Sequence, residues 1–215
     1  MISSPPPAMN LVNVAAAVVP KSSAEFANPS FLTDGDKDTN SYMDSNPNNG
    51  LQRVQLDLGT SFDLVKVSLW HYFGDERSYH DVIVQLSNTA DFTSGVTTVF
   101  NNDTDNTTGQ QGAGKDEEYA ETNTGKSIAF SSVNARYVRF WTNGNTINSS
   151  NHYVEPEVWK ESSPEGYTYC GNEGQTCSFS GTANVAYGAN GKFAYQTFTD
   201  STPCSNAVFG DPIGE

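Results

Sequence analysis

Apolar and polar residues alternate along most of the first three quarters of the chain. The segments "RVQLDLG" (53–59), "LVKVSLWHY" (64–72), "HDVIVQLS" (80–87), "VTTVFNN" (96–102), "KSIAF" (126–130), "RYVRFWTN" (136–143) and "YVEPEVW" (153–159) each repeat with period two over a strand's length. Helix signals are scarce, because Gly, Asn, Ser and Thr recur every few residues and the apolar stretches are short, β-branched and aromatic. The pattern predicts an all-β fold, a sandwich of seven strands within residues 10–160. A polar insertion, "NNDTDNTTGQQGAGKDEEYAETNTG" (101–125), has turn residues and no apolar period. Long loops on a rigid sandwich are where binding groups sit.

After Trp159 the texture changes. "KESSPEG" reads as a linker-like turn cluster, and residues 166–215 hold all three cysteines. "NVAYGANGKFAYQTF" predicts a hairpin with "GANG" as its turn, in a second, small β unit. A unit this small often needs a disulfide, and clustered cysteines fit an oxidising, secreted setting. The hairpin lies between Cys177 and Cys204, so a bridge joining those two would staple its strands and leave Cys170 over. Residues 1–9, with "SSPPP", read as a linker remnant, and Met1 as a start residue before an excised fragment.

Composition narrows the function classes. Acidic residues number 25 against 11 basic ones, a net charge of −14, so a nucleic-acid backbone would be repelled. The longest apolar run, "LVNVAAAVVP", is too short to cross a bilayer and lacks the basic flank of a signal peptide, so the chain reads as soluble. The sequence has no GxSxG, HExxH or phosphate loop, and no carboxylate pair beside an aromatic subsite. Of the three histidines, His71 and His80 flank one strand-linking loop with no cysteine near, a poor zinc set. Catalysis is not expected.

Two segments carry candidate chemistry. "FLTDGDKDT" packs Asp34, Asp36, Asp38 and Thr39 around a glycine, oxygen-rich like a calcium loop, but its spacing is not that of an EF-hand. By spacing alone it is equally a solvated acidic turn. "WHYFGDERSYH" (70–80) offers what a sugar needs, an aromatic face and planar hydrogen-bonding groups. His71 and Tyr72 are expected to emerge from the strand end, followed by Asp75 and Arg77. His80 is expected to turn into the sheet. Asn151 and His152, in "NGNTINSSNHY" (143–153), are further candidates from a loop at the same end.

The ordered set "FLTDGDKDT", "LQRVQLDLGTSFDLVKVSLW", "ERSYHDVIVQLS", "NARYVRFW" and "YVEPEVW" resembles the discoidin, or coagulation factor 5/8 type C, domain, and above all its bacterial family 32 carbohydrate-binding branch. The resemblance implies a jelly-roll β-sandwich and a structural calcium held by Asp34, Asp36, Thr39 and Glu155, with Glu157 in reserve. It also implies sugar recognition by a histidine and an arginine, here His71 and Arg77, although an arginine in "RSY" commonly supports the strand. The family usually has a tryptophan where this chain has Tyr42. The last fifty residues resemble short cysteine-bearing lectin-like repeats, which implies a partner for Cys170 beyond Glu215. The implied function is a non-catalytic module that targets a secreted polysaccharide-degrading enzyme, such as an α-1,3-glucanase, to an insoluble α-glucan or galactose-containing polymer, its catalytic domain lying in the same parent chain. The alternatives are a free lectin or adhesin, or a protein- or lipid-binding discoidin domain. Lipid binding is disfavoured by loop tips that are polar to acidic.

Overall fold

The computed structural model describes residues 11–23, 26–46, 49–110, 112–161, 167–189 and 192–214. The linker expected at residues 1–9, most of "KESSPEG" and the "GANG" turn lie outside the described residues or at their edge. The chain divides into two compact units, one of residues 13–160 and one built on the residues from 161 onward.

Ten strands are present among the described residues: β1 (Leu11–Asn13), β2 (Lys21–Ser22), β3 (Met43–Asp44), β4 (Leu51–His71), β5 (Ile83–Ser87), β6 (Thr97–Asn101), β7 (Lys126–Asn143), β8 (His152–Glu161), β9 (Thr176–Ala189) and β10 (Lys192–Pro203). The segments expected as separate strands at 53–59 and 64–72 are one strand of 21 residues, and those at 126–130 and 136–143 are one of 18. Gly59, with φ +81°, and register shifts after Asp57 and Leu64 bend β4 without ending it. The first half of β4 pairs with β2 and with the second half of β7, which also pairs with β5, and β5 in turn with β6. The second half of β4 pairs with β8 and the first half of β7. Val14 donates to the Val158 carbonyl, 2.8 Å away, and the Val158 N–H to the Asn13 side chain. Two layers of a β-sandwich thus share two bent strands.

Inward positions of the alternation fill the space between the layers. Val54, Leu56, Leu64, Val67, Leu69, Val84, Leu86, Val138, Phe140 and Val158 are all buried in one cluster. The Trp70 indole closes one edge, donating to the Asn123 carbonyl at 3.1 Å. Gly125 passes directly over it at φ +65°, and a Cβ there would come within 2.4 Å of the ring.

In the small unit β9 and β10 form the expected hairpin, antiparallel, with a bulge at Asp200. Tyr187 stacks on Phe209 of a short helix, Asn206–Phe209, over a core with Val185, Cys177 and Cys204. The disulfide differs from the sequence expectation: Cys170 pairs with Cys177, at a Cα separation of 4.9 Å, and Cys204 is a buried free thiol. The hairpin register explains the correction. It sets Thr202, not Cys204, opposite Cys177. Cys204 lies past the end of β10, its N–H bonded to the Gln175 carbonyl. Closing the short 170–177 loop is worth roughly 2.5 kcal/mol in the chain-entropy model. Thiol counting with mass mapping should find one thiol, at Cys204, reactive only after unfolding; a native thiol at Cys170 would contradict this pairing.

Candidate functional site

The end of the sandwich where β4 exits and β8 enters gathers the candidate residues. The register shift at Trp70/His71 decides which side chains face solvent. It turns His71 wholly inward. The imidazole Nδ1 lies 2.7 Å from Glu121 Oε1 and its Nε2 3.2 Å from the Thr142 hydroxyl, and the ring stacks on Tyr79 at 4.3 Å. The expectation that His71 meets a ligand is therefore corrected: it is a core residue in a polar network. Asn151 is corrected likewise. It is fully buried, accepts from the Gly144 N–H at 2.7 Å and donates to the Gly50 carbonyl at 2.8 Å, clamping two loops together.

Tyr72, Asp75, Arg77 and His152 come together. Arg77 is gripped by Asp75, with Nε 2.7 Å from Oδ1 and a second bond from Nη2 to Oδ2, the two-pronged geometry that fixes a guanidinium. This bond holds the Asp75 carboxyl below its ordinary range. The guanidinium lies 4.7 Å over the Tyr72 ring, and Nη1 is 3.3 Å from His152 Nδ1. The Tyr79 hydroxyl also reaches Nδ1, at 3.0 Å. With two donors at Nδ1, the neutral ring carries its proton on Nε2, which faces Asp44 Oδ1 at 3.7 Å. Burial, and then the Arg77 charge, push the His152 pKa down against the pull of Asp44, so the ring is neutral at pH 7.

Tyr42 and Asp44 complete this face and were not expected in it. The Tyr42 ring lies edge-on to Tyr72 at 5.6 Å and to His152 at 5.3 Å. Both Tyr42 and Tyr72 are half-buried, so each keeps part of a ring in solvent. The signal was present in the departure from the family tryptophan at Tyr42, which marks an aromatic position without giving its direction. His80 also departs from expectation: it is half exposed and paired with Glu118 at 2.7 Å.

The oxygen-rich loop is a chain of Asx turns, Asp34 Oδ1 accepting from the Asp36 N–H and Asp36 Oδ1 from the Asp38 N–H, with Thr39 half-buried beside them. The Gly35 N–H reaches Glu155 Oε2 at 3.3 Å, so the loop and the closing strand meet. Glu155 is 1% exposed. Burial, together with the charges of Asp34 and Glu157, pushes its carboxyl up to about 8. Lys37 is spent on Glu157, 2.7 Å away.

No model of a known protein family matches the sequence, and no curated protein aligns with it. Solved structures do match the fold. A truncated alginate lyase with a family 32 carbohydrate-binding module is 21% identical with a TM-score of 0.55, over 76% of this chain and 37% of that one. The family 32 module of C. perfringens NanJ, in complex with galactose, is 12% identical with a TM-score of 0.52, covering 70% of this chain and all of that module. Chitosan-binding module 1 of a chitosanase/glucanase from Paenibacillus sp. IK-5 is 20% identical with a TM-score of 0.51, over 69% and 99%. These neighbours are carbohydrate-binding modules, discoidin-like β-sandwiches, and the chain has their fold. It spans little more than a third of the two-domain lyase.

Proposed function

We propose that residues 13–160 form a non-catalytic carbohydrate-binding module whose ligand lies on the face of Tyr42, Tyr72, Arg77 and His152. The observation that carries this reading is the convergence of two partly exposed rings, Tyr42 and Tyr72, on a pre-positioned guanidinium and a neutral imidazole that are each 8% exposed. A pyranose offers an apolar ring face to aromatics and paired hydroxyls to planar hydrogen-bonding groups. Asp75 fixes Arg77 in advance, which lowers the ordering cost of binding. A neutral glycan, an α-glucan or a galactose-containing polymer, suits a chain of net charge −14 better than a polyanion does. The setting we propose is a secreted polysaccharide-degrading enzyme, an α-1,3-glucanase among the candidates, whose catalytic domain the module holds on insoluble substrate.

A structural calcium ion on Asp34, Asp36, Thr39 and Glu155 is part of the same proposal, and these carboxylates would have to draw closer together around it than they lie here. The support is the Glu155 carboxyl, pushed up by burial and then by the charges of Asp34 and Glu157, which accepts from the Gly35 N–H while Lys37 pairs with Glu157. A hard cation would supply balancing charge through oxygen donors. Its role would be structural, tying the first loop to β8.

Retention on insoluble polysaccharides tests the binding face. Tyr72→Ala is expected to weaken retention by roughly 1–3 kcal/mol and to leave the melting temperature nearly unchanged. Undiminished retention in Tyr72→Ala and Tyr42→Ala alike would place the ligand elsewhere.

A further inference from the structure

The outer face of the β4, β7 and β5 layer holds two arginines without an anion. Val54, Val84, Val138 and Phe140 point into the core, so alternation sends Arg53, Gln55, Gln85, Arg139 and Trp141 outward. The register sets Arg53 beside Trp141, and Arg139 between Gln55 and Gln85. Gln55 Oε1 accepts from Arg139 Nε at 3.0 Å and from its Nη2 at 2.8 Å, and Arg53 Nη1 reaches the same oxygen at 3.5 Å. One neutral oxygen thus serves two cations. Among the described residues neither guanidinium has a carboxylate in ion-pair range, whereas Arg77 holds Asp75 and Arg136 holds Asp57. Asp91 pulls on Arg139 only from a distance, its Oδ1 accepting the Thr93 N–H and hydroxyl. Burial, and then the like charge of Arg53, push the Arg139 guanidinium down to about 10.

Rings frame the pair. Phe92 lies 3.9 Å from the Arg139 guanidinium, presented by a turn in which its own φ is +59°, a value that bulky residues rarely take. The Trp141 ring is 5.7 Å from Arg53 and 5.8 Å from Arg139. Arg53, Phe92 and Trp141 are half-buried and keep surface in solvent, while Arg139 is 8% exposed and acts through its charge. The amides are already engaged, Gln55 Nε2 on the Ala90 carbonyl at 3.0 Å and Gln85 Oε1 on the Trp141 indole N–H at 2.9 Å. What this face offers a partner is therefore positive charge and ring surface rather than the free hydrogen-bonding pairs a sugar needs.

One pleat beyond Trp141 the sign of the charge reverses. Asn143 follows on β7 and donates to Asp81 Oδ2 at 2.7 Å, and both line a cleft of about 560 Å³ whose walls carry Asp105, Asp116, Glu117 and Glu118 against one lysine, Lys115. Cations without anions and carboxylates in excess thus lie side by side, an arrangement that is complementary to itself. We propose that this face docks on the same face of a second copy of the chain, related by a two-fold axis, so that Arg53 and Trp141 of each copy meet the acidic wall of Asp81 and Asp105 of the other. A two-fold axis makes every such contact twice. An acidic peptide would answer the arginines alone, and a basic one the acids alone. The charge of −14 on each copy opposes approach at long range, but at about 0.15 M salt it is screened beyond roughly 8 Å, and pairs within the contact are screened much less. No residue of the Tyr72 face takes part, so the proposal stands apart from the glycan reading. A pair would carry two ligand faces, which strengthens retention on an insoluble polymer without any new sugar contact.

Sedimentation velocity of the whole chain over a concentration series tests the proposal. The parent is expected to show a monomer–dimer equilibrium, and Arg53→Glu and Asp105→Lys each to weaken the dimer by about tenfold or more. An equimolar mixture of the two variants should recover it, because each reversed charge then meets a reversed partner. Unchanged melting temperatures show that the variants are folded; should Arg53→Glu fail to fold, Arg53→Gln takes its place and should weaken the dimer likewise. A monomer at every concentration overturns the proposal, as does a dimer that both variants retain or one that the mixture does not recover. A monomer that binds poly-glutamate through Arg53 overturns it in favour of an acidic partner.

Discussion

His71→Ala should lower the unfolding free energy by roughly 3–5 kcal/mol, the cost of stranding one partner of a buried polar pair, aggravated by the cavity left behind. The imidazole meets one oxygen of the buried Glu121 carboxylate, and the other oxygen has no hydrogen-bond partner among the described residues. It also packs between Tyr79, in the loop that follows β4, and Tyr153 of β8, so the loss reaches both. Glu121 in turn donates its N–H to the Arg77 carbonyl at 2.9 Å, which ties the 101–125 insertion to the loop bearing Tyr72 and Arg77. Urea denaturation of His71→Ala and Glu121→Ala measures the effect. Loss of glycan retention in a His71→Ala protein with parental stability would return His71 to the ligand, against its burial.

The second large effect concerns the proposed calcium ion. Excess calcium is expected to raise the melting temperature and EDTA to lower it, by an amount equivalent to roughly 2.7 kcal/mol when the free ion is a hundredfold above its dissociation constant. Asp34→Ala should remove the response. The pH dependence has a defined sign. Glu155 binds its proton more tightly folded than unfolded, so without calcium its contribution is present at low pH and is lost as pH rises from the ordinary carboxylate range through about 8. Calcium, which takes the ionised form, should flatten that decline. Melts that are identical with calcium and with EDTA across this range would remove the site.

The strands were legible because inward residues such as Val54, Leu56, Val84 and Leu86 recur with period two, and the layer-to-layer core enforces that period. Their lengths were not. Gly59 and the polar stretch around it look like a turn in one dimension, while the structure uses them as a bend within one hydrogen-bonded strand. For the site, residue types were legible and directions were not. Tyr72, Asp75, Arg77 and His152 do assemble, but one register shift beside Trp70 reverses what alternation implies for His71. His80, expected inward, is half exposed instead, because β5 begins only at Ile83 and His80 belongs to the loop. Asn151 reads as a polar loop residue, and only the closeness of Gly50 and Gly144 reveals a clamp. The cysteine pairing failed for a related reason: sequence order does not state which residue faces Cys177 across a hairpin.

The two bent strands have a consequence for how the molecule comes into being. Leu51 of β4 lies opposite Asn143 of β7, and Leu64 opposite Lys160 of β8, partners more than ninety positions apart along the chain. Neither layer can be completed before distant segments have met, and because β4 and β7 belong to both layers, neither can be completed without the other. Such topology places refolding in the range of about milliseconds to seconds. It also makes the larger unit one cooperative body, in which a nick within β4 would undo both layers at once whereas a nick in the exposed part of the 101–125 insertion would cut no shared strand.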